Sequence, residues 1–359
     1  MKGREKVLQM MITGLICGAL LGFVMQRGRF CLTGGFRDMY LTKDNRMFYA
    51  LLIAIAVQSV GAFALISTGV FEFNAGGLPI ASIIIGSFIF GIGIILAGGC
   101  ATGTWYRAGE GLIGSWIALA GYMLMSVMMR NGVFAPFTQE MKSHQLPDNS
   151  IASTLGINVW ILIGILLLVV SWIVYKEVTK PKVFIPQLKA KRTGLAHVLF
   201  EKRWHPFVTA VLIGAIAVLA WPLSVASGRI FGLGITAPSG DILLYLTTGD
   251  TTFINWGVFL VLGIFLGSYI AAKASNEFRF RMPDVKTGIR SFLGGNLMGF
   301  GAVLAGGCSI GNALVMTAMM TWQGWISLIF MILGTWTATY FVFVRGRKKA
   351  SNSSALKSA

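Results

Sequence analysis

Charge is absent from long stretches of this chain: Val7 to Gln26, Met47 to Phe71, Phe73 to Tyr106, Gly111 to Met129, Asn149 to Tyr175, Pro206 to Gly228, Thr251 to Ala272 and Ser291 to Val344. A bilayer core roughly 30 Å thick takes about 20 helical residues, so most of these runs predict single membrane-crossing helices. The last is more than twice that length and predicts two crossings, with Gly306-Gly307-Cys308 between them. The pattern predicts an all-α integral membrane protein with about nine transmembrane helices.

Lys and Arg gather in four connections: Arg27 to Arg46, Lys176 to Arg203, Lys273 to Arg290 and the tail from Arg345. By the positive-inside rule these four face the cytoplasm. Even numbers of spans separate them, so the assignments agree with one another. The basic-poor segments Gly69 to Ile80, Asn131 to Gly156 and Gly228 to Asp250 then lie outside, as does the N-terminus. Lys2, Arg4 and Lys6 oppose that last placement and are outweighed by the four basic connections. The first apolar run is long enough to span and has no clear small-residue cleavage site, so it is expected to stay as the first helix rather than to be removed as a signal peptide.

The pentapeptide Leu-Ala-Gly-Gly-Cys occurs twice, at Leu96 to Cys100 and at Leu304 to Cys308. The match continues at one constant offset, pairing Gly86 with Gly294, Gly91 with Gly299, Gly93 with Gly301 and Gly103 with Gly311. The chain therefore reads as an internal duplication: residues 1–135 form a first membrane repeat, 136–205 a linker span and cytoplasmic loop, and 206–359 a second repeat with a basic tail. One linker span between four-span halves inverts the second half. In transporters built this way the substrate site lies near the midplane, between the repeats.

Composition narrows the class further. At 55% hydrophobic and 12% charged residues, the chain has too little polar surface for a water-soluble globule of 359 residues. Its net charge of +17 follows in part from the positive-inside bias and from attraction to anionic lipid, and it suits an anionic substrate. The basic residues are dispersed between spans rather than gathered on one soluble domain, which argues against nucleic-acid binding.

Candidate chemistry centres on the cysteines. Cys17 lies mid-span, where a small soft side chain packs well. Cys31 follows the first span in a polar, Gly-rich segment. Cys100 and Cys308 each follow a Gly-Gly pair and precede uncharged, Gly-containing sequence: Ala101-Thr102-Gly103-Thr104 and Ser309-Ile310-Gly311-Asn312. Irregular backbone at membrane depth occurs only where it is buried or lines a cavity. Each motif thus predicts a broken helix with Gly98-Gly99 or Gly306-Gly307 at the turn, a cysteine beside it, and a short helix whose free N–H groups attract anions. Inversion would bring Cys100 and Cys308 together near the midplane, with Cys31 toward the cytoplasm.

A soft metal would need closely gathered thiolates or imidazoles, whereas His144, His197 and His205 fall in predicted loops and no Cys-x-x-Cys is present. No metal site and no cofactor are expected. A sulfur-containing anion fits better, because a neutral thiol offers it a weak S–H donor and a polarisable surface. Arg29 in Gly28-Arg29 matches Arg229 in Gly228-Arg229, and Arg107 follows the first motif. These three are candidates for guiding an anion, although snorkelling at the interface also accounts for them.

The Arg27-Gly-Arg-Phe-Cys31 segment together with the two Leu-Ala-Gly-Gly-Cys motifs resembles the YeeE/YedE family of bacterial membrane proteins, over nearly the whole chain. The resemblance implies a multi-pass inner-membrane thiosulfate importer, not an enzyme, in which Cys31, Cys100 and Cys308 relay the ion. It implies a separate small cytoplasmic sulfurtransferase of the TusA-like kind as partner, beside thiosulfate and lipid. Relatives linked with selenium metabolism leave another sulfur- or selenium-containing anion open as the substrate, and a membrane sulfurtransferase forming a cysteine persulfide is the other alternative. The second half departs from the pattern in one respect, since Phe231 stands where a counterpart of Cys31 would fall.

Overall fold

The computed structural model describes residues 2–179, 193–202 and 204–345. Residues 180–192, within the basic connection Lys176 to Arg203, and nearly all of the basic tail lie outside the described residues. The first half runs α1 (Lys2–Gly28), α2 (Leu32–Leu41), α3 (Arg46–Ser67), α4 (Ile80–Ala97), α5 (Ala101–Gly109) and α6 (Ile113–Arg130). Two short helices, α7 (Ala135–Ser143) and α8 (Ile151–Leu155), lead to α9 (Val159–Val178), followed by the single turn α10 (Gly194–Ala196). The second half repeats the order: α11 (Pro206–Ala226), α12 (Thr236–Thr248), α13 (Trp256–Ala274), α14 (Val285–Leu304), a π-helical turn Gly311–Met316, and α15 (Trp322–Thr339).

Eight segments among the described residues are long and apolar enough to cross a membrane, two of them being the pairs α1 with α2 and α4 with α5. The ninth long helix is α14, with 20 residues. It is the least apolar of the set because it carries Lys286, Arg290, Asn296 and several glycines. It needs less lipid compatibility than its neighbours, since it lies between α4 and α6.

The halves interlock by exchanging partners. α1 lies along α13 and α11 along α3; α4 packs on α15 and α14 on α6; α4 and α14 pack on each other, as do α1 and α11. Each contact thus has a counterpart made by the corresponding elements of the other half. Glycines set these approaches. A Cβ on Gly18 or Gly22 of α1 would fall 2.0 or 2.1 Å from the carbonyl oxygens of Leu260 and Ile264 on α13, and one on Gly267 would fall 2.0 Å from the Ala19 oxygen. The repeat-matched pair behaves alike: Gly91 meets Met331 O of α15 at 2.3 Å, and Gly299 meets Tyr122 O of α6 at 2.7 Å. With lipid on the outside there is no hydrophobic force between helices, and backbone proximity through small residues supplies the packing.

Two connections of the sequence reading contain helices of ten residues or more. Arg27 to Arg46 includes α2 and Gly228 to Asp250 includes α12, with 10 and 13 residues. At about 1.5 Å per residue neither can cross a bilayer. Instead α2 folds against α3 and α15, and α12 against α6 and α13. Each buries its first turns, Leu32 to Phe36 and Pro238 to Asp241. The linker α9 packs chiefly on α3 and turns Leu168 and Trp172 outward.

Substituting Gly267→Val should lower the melting temperature of the detergent-purified protein by several degrees, because overpacking a tight contact costs about 1–3 kcal/mol. Gly164→Val on α9, where a Cβ meets nothing within 4 Å, should leave it nearly unchanged. Equal melting of the two variants would contradict the glycine-set packing.

Candidate functional site at two broken helices

The helix breaks are built the same way in both halves. After α4, Gly98 takes φ +76°, and after α14, Gly306 takes φ +78°; both lie in the left-handed region that favours glycine. The chain then restarts. Cys100 is the N-cap of α5, and its sulfur accepts the Gly103 N–H at 3.4 Å. The Thr104 N–H bonds the Cys100 carbonyl at 2.7 Å, and the Asn312 N–H bonds the Cys308 carbonyl at 2.8 Å, in corresponding positions. In the second half the restart is a π-helical turn, a form frequent at functional sites, and Thr317 Oγ1 donates to the Asn312 carbonyl at 2.9 Å.

Breaking a helix at membrane depth frees carbonyls that need partners. In the first half Arg107 supplies one, its Nη1 donating to the Gly98 carbonyl. In the second half side-chain amides do this. Asn312 Nδ2 donates to Ala305 O at 2.9 Å, Gly307 O at 3.2 Å and Ser327 Oγ at 3.1 Å. Gln323 Nε2 bonds Asn312 Oδ1 at 3.0 Å, and Gln323 is held in turn by Asn149, whose Oδ1 accepts the Gln323 N–H at 2.9 Å.

Three of the four cysteines converge here, all of them buried and free. A Cβ on Gly103 would lie 3.2 Å from Cys100 Sγ and 3.9 Å from Cys31 Sγ, so that glycine leaves room beside both thiols. Cys31 is the residue before α2, and Arg107 Nη2 donates to its sulfur at 3.3 Å. Cys308 and the Ser309 hydroxyl lie near the Cys100 thiol. That hydroxyl is fully buried and has no nitrogen or oxygen partner among the described residues. Cys17 sits on α1 and makes none of these contacts among the described residues. Beyond Cys308, the Tyr122 ring lies close to both Cys308 and Cys100, and its hydroxyl donates to Thr236 Oγ1 at 2.8 Å, at the start of α12. Trp105 Nε1 donates to Ser239 Oγ at 2.9 Å and ties α5 to the same helix.

The three candidate arginines are held differently. Arg107 faces Cys31 and the Gly98 turn. Arg229 donates to the Gly232 carbonyl at 2.9 Å and lies 5.9 Å from the centre of the Trp256 ring; no carboxylate is within ion-pair distance of it among the described residues. Arg29, by contrast, is paired twice, to Glu110 at 2.7 Å and Glu277 at 2.8 Å. It is neither a snorkelling residue nor an uncompensated cation. Burial raises the Glu110 carboxyl above its usual range, and Arg29 opposes that rise.

Neither Ser309 nor the Asn149–Gln323–Asn312 network stood out in the sequence. Ser309 adjoins the repeated motif, but its counterpart is Ala101, so the repeat gave no signal. Among the described residues no three His, Cys, Asp or Glu side chains gather where they could hold a metal ion.

These features define a polytopic α-helical membrane protein whose two helix breaks meet around buried thiols. The chain belongs to the sulphur-transport family, whose profile matches residues 27–337, a family of transport proteins rather than enzymes. It is similar to the thiosulfate transporter TsuA of Escherichia coli K12, with 65% identity over 346 residues covering 96% of this chain and 98% of that protein. The thiosulfate transporter TsuA of Spirochaeta thermophila is 34% identical over 351 residues, 94% of this chain and 100% of its own length. The probable transporter YedE of E. coli K12 matches at 36% over 115 residues, 32% of this chain and 28% of its own.

Replacing Asn312→Leu strips the side-chain partner from the Gly307 carbonyl, while the Ala305 carbonyl keeps Gln323 Nε2. With about 1–3 kcal/mol for a buried group left unsatisfied, the variant should lose about 1–3 kcal/mol of stability. Thermal unfolding in detergent checks this, and wild-type melting would show that the turn is held by other means.

Proposed function

We propose that this protein imports thiosulfate across the bacterial inner membrane, passing the ion from Cys308 to Cys100 to Cys31. The observation that carries the reading is the convergence of three buried thiols on two helix breaks, with Gly103 leaving space beside Cys100 and Cys31. The names of the long-range relatives support thiosulfate as the ion.

The chemistry follows from burial. A dianion entering the protein loses water, and each lost contact needs a donor. A thiol supplies a weak S–H donor without a charge that would repel the ion or hold it too firmly. The turns at Gly98-Gly99 and Gly306-Gly307 keep the backbone close to the path, and the restarting helices turn N–H groups toward it. Arg229 draws the anion in at the outer side, because no carboxylate is ion-paired with it among the described residues. Arg107 receives it beside Cys31 at the inner side. The ion pairs of Arg29 leave it the task of holding α1, α5 and the end of α13 together.

The two halves, residues 1–135 and 206–359 around a linker at 136–205, are taken as inverted repeats. The exchanged partners α1 with α13 and α11 with α3 support this. The basic connections place the N-terminus outside and the C-terminus in the cytoplasm. Thiosulfate delivered inside needs a sulfur acceptor, and a separate TusA-like sulfurtransferase fits that need.

Uptake of labelled thiosulfate by cells lacking their own transporters tests the reading. Cys100→Ala and Cys308→Ala should each reduce uptake about tenfold or more at unchanged membrane level, since a lost hydrogen bond to a charged group is worth about 1.5–3 kcal/mol. Cys17→Ala should be tolerated. Full transport by Cys100→Ala would end the relay proposal.

Orientation is tested separately. An impermeant maleimide applied to intact spheroplasts should label Ser143→Cys and leave Ser353→Cys unlabelled. The reverse pattern would invert the direction of the path.

A further inference from the structure

Beneath the Gly98 turn lies a cavity of about 420 Å³, within the size range of ligand pockets. Its wall includes four arginines, Arg37, Arg107, Arg281 and Arg290, and no acidic residue. Of the nearby acids, Asp38 is bound to Arg37 at 2.8 Å, and Asp284 accepts the Thr287 N–H at 3.2 Å. Arg107, Arg281 and Arg290 have no carboxylate within ion-pair distance among the described residues.

A structural role for these cations is visible and does not use them up. Arg107 and Arg290 each give one N–H to the end of α4, Arg107 to Gly98 O and Arg290 Nη2 to Ile95 O at 3.3 Å. Cations at a helix C-terminus complement its dipole. What remains is unspent: Arg290 Nε is buried with no hydrogen-bond partner, and so is the hydroxyl of Thr33, which is 4% exposed and also lines the cavity. Buried polar atoms in folded proteins are nearly always satisfied. Three uncompensated guanidinium groups and two donors without partners around one space describe a site for a small, doubly charged oxyanion, since guanidinium matches oxyanion geometry.

We propose that this cavity is a second thiosulfate site, on the inner side of Arg107 and separate from the thiol line, where the ion is held after it leaves Cys31. The inference rests on thiosulfate being the transported ion. The occupant is the free ion rather than a lipid phosphodiester because the cavity adjoins the path: Arg107 lines it while touching Cys31, and Thr33 lies two residues beyond that cysteine. Arg107 is thereby shared between the last thiol and the holding site, and it passes the anion from the cysteine to a cationic basin.

The test is equilibrium binding of radiolabelled thiosulfate to the purified full-length protein in phosphatidylcholine nanodiscs. The double variant Cys100→Ala, Cys308→Ala should retain saturable binding. Adding Arg290→Gln to it should weaken that binding about tenfold or more, and Arg290→Lys should weaken it less. Should Arg290→Gln fail to give a monodisperse protein, Arg281→Gln serves, because this exposed residue is fixed through backbone bonds to Gly111 and Ile113. Binding lost with the two cysteines, or unchanged by both arginine variants, overturns the second site. Nanodiscs containing phosphatidylglycerol should bind equally well; loss of binding there would assign the cavity to a lipid headgroup and overturn the proposal. Uptake reads the other claim independently. Binding by the double cysteine variant without uptake by the wild-type protein would remove the transport reading and keep the site, and uptake without that binding would do the opposite.

Discussion

Everything at the centre of this protein depends on satisfying the backbone carbonyls and N–H groups that two helix breaks expose at membrane depth. In hydrocarbon an unpaired peptide group costs several kcal/mol, so a break survives only where side chains reach it. The two halves solve this with different residues. A guanidinium, Arg107, caps the Gly98 carbonyl, whereas the amides of Asn312 and Gln323 cap Ala305 and Gly307. The first solution leaves a positive charge beside Cys31. The second leaves a neutral turn beside Cys308.

That difference gives a duplicated architecture a direction. The turns before Cys100 and Cys308 share a left-handed glycine and one corresponding hydrogen bond, yet the chemistry around each differs. Ser309 adds a buried hydroxyl where the first half has Ala101, and Phe231 stands where the second half would carry a partner for Cys31. Arg29 is neutralised by Glu110 and Glu277, while its counterpart Arg229 bonds carbonyls and the Ser224 hydroxyl and lies over aromatic rings, with no ion pair among the described residues. Corresponding helix contacts recur in the two halves, and different side chains make the surroundings of one break unlike those of the other. Close glycine contacts, such as Gly91 on Met331 and Gly299 on Tyr122, hold the helices around the two breaks.

Much of this was legible in the chain itself. Hydropathy located the long helices, because a span in lipid must be continuously apolar and the requirement is local. The recurrence of Leu-Ala-Gly-Gly-Cys located both breaks, because a left-handed turn at membrane depth calls for glycine at one position, now seen at Gly98 and Gly306. It also set Cys100 and Cys308 apart from Cys17, which lies mid-span on α1, while Cys31 was marked by its polar, Gly-rich segment. Hydropathy passed over α2 and α12, since helices of 10 and 13 residues are too short for a span-length window. It also left the weakly apolar α14 without a clean signal of its own.

Which polar residues face one another was decided only by the tertiary structure. Arg29 and Arg229 look equivalent in sequence, and only packing shows that Glu110 and Glu277, from two distant segments, neutralise the first. Ser309, Asn149 and Gln323 carry no local pattern, because hydrogen bonding at a helix break depends on direction and distance across elements rather than on spacing along the chain. The sequence by itself determined where the chain crosses, where it breaks and which thiols lie at the breaks, through constraints that act within one helical turn. The folded arrangement decided which charges remain unpaired around those thiols, because Coulomb energy and desolvation are set by neighbours in space.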